Sequence, residues 1–308
     1  MCAHKNVAGR LLLLANHISL QNGRNFDKVG LADCLRFQGG SLKPPFFVSI
    51  PHSGEKIPNE VVWLQNLPEE IQMCDVDRFV DRLYGPALVS MKIPHVVAEW
   101  HRYFADLNRI PEDIDEDSVQ GASTKSGTHT TGFIWVTTTK GDPLLKSPID
   151  PELFRQIILK YWQPFHDQVR GQYEKFQSLG FKKIYQLDAH SMPSLGTEKH
   201  RDPGERRAEI VISDQNGKSC EGAYRELVIG AYKNAGFQVK ENWPYVGGRV
   251  TQTYGQPSLG QHCIQVELNR ALYMNEETKK INEKEASIIQ IKIQKALAEI
   301  YEGIGSLI

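Results

Sequence analysis

The sequence predicts an α/β sandwich built around a mixed or mostly parallel sheet, and two observations carry that expectation. Short β-branched or aromatic runs recur at FFVSI (46–50), HVVAE (95–99), IYQLD (184–188), EIVIS (209–213) and HCIQVEL (262–268). Longer stretches with helical spacing separate them, and strands alternating with helices of this length favour helices packed on both faces of one sheet.

The first helical stretch is DRFVDRLYGPALVSM at 77–91, and the second spans 151–180. A third runs over 222–236, where Gly236 supplies a helix stop. The last runs from about 278 to 302, with Ile288, Ile289, Ile293, Ala296, Leu297, Ile300 and Tyr301 on one apolar face. Two irregular segments, 110–149 and 194–208, are rich in Gly, Pro and polar residues; they read as surface excursions able to fold over a site as lids. No internal repeat or low-complexity linker divides the chain. We expect a single catalytic domain over 46–308, with residues 1–45 as an N-terminal extension packed on it.

The chain has 308 residues, 40% of them hydrophobic, enough for a sizeable core. Its 36 basic and 37 acidic residues leave a formal charge of −1, so no overall field draws it to nucleic acid or to an anionic membrane. A small molecule is the expected partner, and the oligomeric state stays open. Five scattered cysteines without a CxxC pair favour free thiols in a reducing cytoplasm. The run LLLLA at 11–15 is too short to span a membrane and lacks a small-residue cleavage site after it, so it reads as mature sequence.

Three predicted strands end in reactive groups: His52 after FFVSI, His190 after IYQLD, and Glu267 in HCIQVEL. Open α/β sheets place ligands beyond the carboxyl ends of their strands, where loops converge on a rigid frame. Two imidazoles and a carboxylate can hold a catalytic zinc ion, which lowers the pKa of water at its open position to about 7. Candidate carboxylates are Glu55, in an HxxE spacing with His52, and Asp75, Asp77 and Asp81; Asp77 and Asp81 are expected to share a helix face. Asp75 reads equally well as an acid at a helix N-terminus.

HRYFADLNR at 101–109 sets Arg102 and Arg109 around an Asp-Leu-Asn core, and paired arginine nitrogens suit a carboxylate ligand. Gly247 and Gly248 allow a tight turn or a close approach of backbone to ligand. A carboxylate in a buried strand is costly, so Glu267 needs an ion pair with an arginine such as Arg270 or a place as a general base in a polar cleft. Asp188, two residues before His190, is expected on the opposite side of the strand, supporting structure or a hydrogen bond behind a ligand. Ser191 lacks the Gly-x-Ser-x-Gly elbow of a serine nucleophile.

Taken together, SIPHSG, the DxxxVDRLY segment, DLNR, DAHSMPS, PYVGGRVTQTYGQP and QVELNRALYMNE resemble the N-formylglutamate amidohydrolase family from about residue 46 to 276. The resemblance implies a three-layer α/β/α fold of the phosphorylase/hydrolase-like, zinc carboxypeptidase-like kind. It also implies metal-dependent cleavage of an N-acyl amide, releasing formate and glutamate in histidine breakdown. Carried onto this chain, it makes His52, Asp77 and His190 the zinc ligands, with Asp81 in reserve, and Glu267 the general base. Arg102, Asn108 and Arg109 fall on the substrate-facing segment, and Arg270 is expected to hold Glu267. The chain departs from the family pattern at RRAEIVIS, where Glu209 stands in place of an Asp; Arg206 or Arg207 is expected within reach of a substrate carboxylate.

Overall fold

Six strands form the frame: β1 (Phe46–Ile50), β2 (His95–Val97), β3 (Ile184–Met192), β4 (Ile210–Ser213), β5 (Val239–Glu241) and β6 (Gln261–Asn269). They lie in the order β2-β1-β3-β6-β4-β5. Every neighbouring pair is parallel except β4 with β6. A computed structural model describes residues 43–308, and Pro44–Ile308 form one compact unit. Most of the expected extension 1–45, the run at 11–15, Cys2 and Cys34 lie outside the described residues.

The sheet separates two cores because alternate side chains leave a strand on opposite faces. Phe46, Val48 and Ile50 of β1 share one core with Tyr185, Leu187 and Ala189 of β3 and with Ile264, Val266 and Leu268 of β6. Helices α1 (Val80–Ser90), α4 (Gly222–Asn234) and α6 (Glu283–Gly303) cover that face. On the other face Phe47, Ile184 and Cys263 meet α3 (Gln163–Ser178) and α5 (Arg249–Tyr254). The result is three layers. No described helix is long and apolar enough to cross a membrane.

Local chemistry explains the helix boundaries. Asp150 caps α2 (Pro151–Ile157) by accepting from the Glu152 and Leu153 N–H groups, with Pro151 at the first helical position. The expected single helix over 151–180 is interrupted by a π-helical turn at Ile158–Trp162. Pro164, which has no N–H to donate, follows that turn and accounts for the altered register. In α6 the buried positions are Ala286, Ile289, Ile293, Ala296, Leu297 and Ile300; Ile288 is 44% exposed, since one residue from Ile289 is about 100° around a helix.

Three other expectations are corrected. Helix α1 starts at Val80, not Asp77, because Phe79 adopts a left-handed φ of 71°; Asp77 and Asp81 therefore share no helix face. That conformation costs on the order of 1 kcal/mol for a non-glycine residue, and Arg78 and Arg82 stack on the Phe79 ring at 5.0 and 5.6 Å. The segment 110–149 is more than a surface excursion: Val119, Phe133, Ile134, Trp135, Leu144, Leu145 and Ile149 form a third core with Tyr103 and Phe104. Finally, β3 continues past Asp188 to Met192, so His190 lies inside the strand rather than after it.

Two buried histidines outside the candidate site are locked as neutral rings. His101 Nε2 donates to the Gln72 carbonyl and its Nδ1 accepts from the Tyr103 N–H; His166 Nε2 donates to the Leu107 carbonyl. Burial lowers both to about 4. Between the unfolded value near 6.5 and that lowered value the unfolded chain binds more protons, so stability falls as pH drops through this window, by about 1.4 kcal/mol per pH unit per histidine. Denaturant titrations between pH 7 and 4 should therefore show a shallower loss for His166→Gln than for the parent. Parallel curves would refute this assignment.

Candidate metal centre and active site

Three distant pieces of chain meet beyond the carboxyl end of β1. His52 follows the strand by two residues, Asp77 sits in the turn before α1 with its N–H donating to the His52 carbonyl at 3.0 Å, and β3 carries His190. One ligand atom from each of the three lies within 4.8 Å of the other two. The imidazole centroids are 4.9 Å apart. Asp77 Oδ2 is 3.0 Å from His190 Nδ1 and 3.6 Å from His52 Nδ1, so both rings present the same nitrogen to the centre.

Their other nitrogens face carboxylates. His52 Nε2 is 2.7 Å from Asp106 Oδ1, and His190 Nε2 is 2.8 Å from Asp188 Oδ2. A carboxylate behind each ring fixes which nitrogen carries the proton and aims the bare one at a cation. Asp188 lies on the same face of β3 as His190, contrary to expectation, because strand periodicity is two. Asp106 stands in the Asp-Leu-Asn core noted in the sequence but was given no role there; the signal was an acid embedded in the aromatic run YFADL, where a buried carboxylate must have several partners. It accepts additionally from the Asn108 N–H, Arg102 Nη2 and Trp135 Nε1.

The charge balance suits a cation. Asp75, Asp77, Asp106, Asp188 and Glu267 are buried together, with Arg102 and Arg270 as the guanidinium groups set directly among them. Burial opposes the charge on Asp77, but its bonds to His190 and His52 outweigh that and hold it well below the usual carboxylate range. Burial likewise works against protonated His190, yet Asp188 and Asp77 raise it well above an ordinary histidine. Glu267, paired in register with His190 across the β3–β6 ladder, is pushed up by burial to about 7. Its Oε1 accepts from Gln265 Nε2, whose own Oε1 accepts from the Gly248 N–H.

The N-formylglutamate amidohydrolase family model matches residues 44–274. The chain belongs to this family. It is 30% identical to the N-formylglutamate deformylase of Pseudomonas putida over 247 residues, spanning 79% of this chain and 85% of that protein. The counterpart of Pseudomonas aeruginosa is 28% identical over 252 residues, spanning 80% and 87%. The crystal structure of the N-formylglutamate amidohydrolase of Ralstonia eutropha superposes with a TM-score of 0.74 at 25% identity, covering 87% of this chain and 96% of that one.

In this member of the amidohydrolase family the triad opens on a cavity of about 600 Å³. Both irregular segments expected as lids contribute wall: Thr130, Thr131 and Trp135 from one, Lys199, His200 and Arg201 from the other. Asp75 ties the first segment down by accepting from Thr139 and from the Tyr103 hydroxyl. Gly247 takes a φ of 109°, which favours glycine, and a Cβ on Gly248 would lie 2.1 Å from Asn108 Nδ2.

Arg102, Asn108 and Arg109, the residues expected at the substrate, all line the cavity. Arg102 donates to the Asp75 carbonyl and to Asp106 and stands 3.7 Å from Asp77, so it braces the triad from the cavity wall. Asn108 Oδ1 accepts from the Val250 N–H, joining α5 to the site. Arg109 lines the cavity, anchored through Nη1 and Nε on the Asn108 and Thr131 carbonyls. Arg270 donates to Asp77 Oδ1 at 2.9 Å and to Ser191, rather than holding Glu267, because Asp77 carries the more firmly ionised charge. Arg207 is locked onto Asp202 through two bonds of 2.8 Å. Glu55 pairs with Arg78, and Asp81 is outside the cluster.

Removing a carboxylate behind a ring should loosen metal without removing it. Asp106→Asn and Asp188→Asn are each expected to weaken zinc binding by roughly 10- to 100-fold in chelator competition. Unchanged affinity in both would show that the outer nitrogens do not orient the rings.

Proposed function

We propose that this chain hydrolyses the amide bond of N-formyl-L-glutamate to formate and L-glutamate, with zinc or another divalent cation held by His52, Asp77 and His190. The observation that carries the reading is the convergence of two Nδ1 atoms and one carboxylate beside Glu267, in a chain of this family. A divalent cation there supplies Lewis acidity toward the carbonyl and makes water easier to deprotonate. The deformylase names of the Pseudomonas relatives support the substrate.

Glu267 is the general base in this mechanism. Buried beside the triad and raised to about 7, it can take a proton from attacking water at neutral pH and return it to the departing amine. Gln265 holds one of its oxygens, which leaves the carboxylate a defined orientation. Arg102 and Arg270 keep Asp77 ionised and fixed. Arg109, on the cavity wall, is the residue we assign to a substrate carboxylate. The excursions 110–149 and 194–208, which wall the cavity, would limit access of bulk water.

We also place the reaction in histidine breakdown in the cytoplasm, and the sheet with the zinc carboxypeptidase-like folds; the motif resemblance supports both, and the free thiols of Cys74, Cys220 and Cys263 support a reducing compartment. A related N-acyl amino acid is the second reading, favoured by a cavity of about 600 Å³, ample for a longer acyl group.

Turnover of N-formyl-L-glutamate should disappear on chelation and return with zinc. Glu267→Gln is expected to keep the metal and lose at least ~100-fold in kcat, whereas His52→Ala and His190→Ala should lose the metal while staying folded. A fully active Glu267→Gln would overturn the base assignment. A panel of N-formyl and N-acetyl amino acids separates the two substrate readings.

A further inference from the structure

The face of the sheet beneath α3 carries an anomaly. On the opposite face Phe46, Val48 and Ile50 of β1 and Tyr185, Leu187 and Ala189 of β3 enter an apolar core, and the one buried polar residue there, Ser191, lies at the site and accepts from Arg270. Beneath α3, Ser49, Gln186 and Asp188 stand in a row, each 0% exposed. A buried polar group is costly unless it is satisfied, and an apolar replacement of similar shape is often more stable. Packing alone does not ask for these residues.

They form one hydrogen-bonded line with an unambiguous direction. The Tyr173 hydroxyl donates to Gln186 Oε1 at 2.8 Å, and Gln186 Nε2 donates to Ser49 Oγ at 2.7 Å. Ser49 Oγ donates to Asp188 Oδ1 at 2.5 Å, and Asp188 Oδ2 accepts from His190 Nε2 at 2.8 Å. Ser49 and Asp188 are register partners across β1 and β3, as are Phe47 and Gln186. Burial holds the Tyr173 phenol well above its ordinary range, so the line begins at a fixed donor.

We propose that Ser49, backed by Gln186 and Tyr173, is a positioning residue of the metal centre. Its hydroxyl fixes the Asp188 carboxylate, which in turn fixes His190 with Nδ1 toward Asp77. One of the two oxygens of Asp188 serves the ring; the other would otherwise lack its donor, and the carboxylate could rotate. Ser49 also sits on the strand that delivers His52 three residues later, so a single hydroxyl braces the two strands that bring the imidazoles together. Ser49 touches no substrate and acts through Asp188.

The inference rests on the metal reading above, and the experiment separates the two. Zinc and cobalt affinities of the full chain are measured by chelator competition, with thermal unfolding of the metal-free proteins alongside. Ser49→Ala should weaken metal binding by at least ~10-fold, within the range for partners behind a ligand, and Ser49→Thr, which keeps the hydroxyl, should recover to within ~3-fold. In an Asp188→Asn background Ser49→Ala should add less than ~2-fold, because the two act in series. Tyr173→Phe keeps the ring that packs edge-on against Phe47 at 5.0 Å. It should weaken binding by a smaller factor of about 3, and it carries the test should Ser49→Ala fail to fold. A parent chain that binds no divalent metal sinks the metal reading and this inference with it. A parent that binds metal while the Ser49 and Tyr173 variants differ from it only in thermal stability overturns this inference alone.

Discussion

The pairing of His190 with Glu267 across two adjacent parallel strands is the constraint on which the site depends. Parallel register sends directly paired residues to the same face of the sheet, so the ladder that locks β3 to β6 also sets an imidazole beside a carboxylate. Neither side chain needs a loop to position it. His52 and Asp77 are then brought to that edge by a strand end and a turn joined through one backbone hydrogen bond.

Such an arrangement concentrates negative charge where water cannot screen it. The molecule answers in three ways. Asp106 and Asp188 bind the outer nitrogens of the two rings, Arg102 and Arg270 brace Asp77, and Glu267 becomes easier to protonate. Asp188 and Asp77 favour a proton on His190, and a cation held at Nδ1 would take the place of that proton. The same balance explains why Arg102, on the cavity wall, also leans on the triad: a guanidinium beside two buried acids is held there by both of them.

The walls of the cavity are irregular in backbone yet not loosely attached. The segment 110–149 has its own apolar core with Tyr103 and Phe104, and Asp75 pins Thr139 over the site. The wall is tied to the chemistry as well, since Trp135 of this segment donates to Asp106, the carboxylate behind His52.

Much of this was legible in the amino-acid sequence because it follows from local periodicity and residue chemistry. Alternating apolar runs marked five of the six strands, the 3.6-residue spacing marked the main helices, and His52, His190 and Glu267 stood out as reactive groups where a core prefers none. β5 escaped because Val239–Glu241 is only three residues long and mostly exposed. Asp106, the line from Tyr173 to His190, and the true partners of Arg102, Arg270 and Arg207 depended on contacts between residues far apart in the chain. Phe79 shows the limit most clearly: a left-handed residue before α1, stabilised by two arginines stacked on its ring, places Asp77 in a turn where helical spacing alone put it on a helix. Sequence periodicity determined the alternation of strands and helices and most of their apolar faces; only the tertiary fold decided which buried charges met, because electrostatic partners are chosen by distance in space.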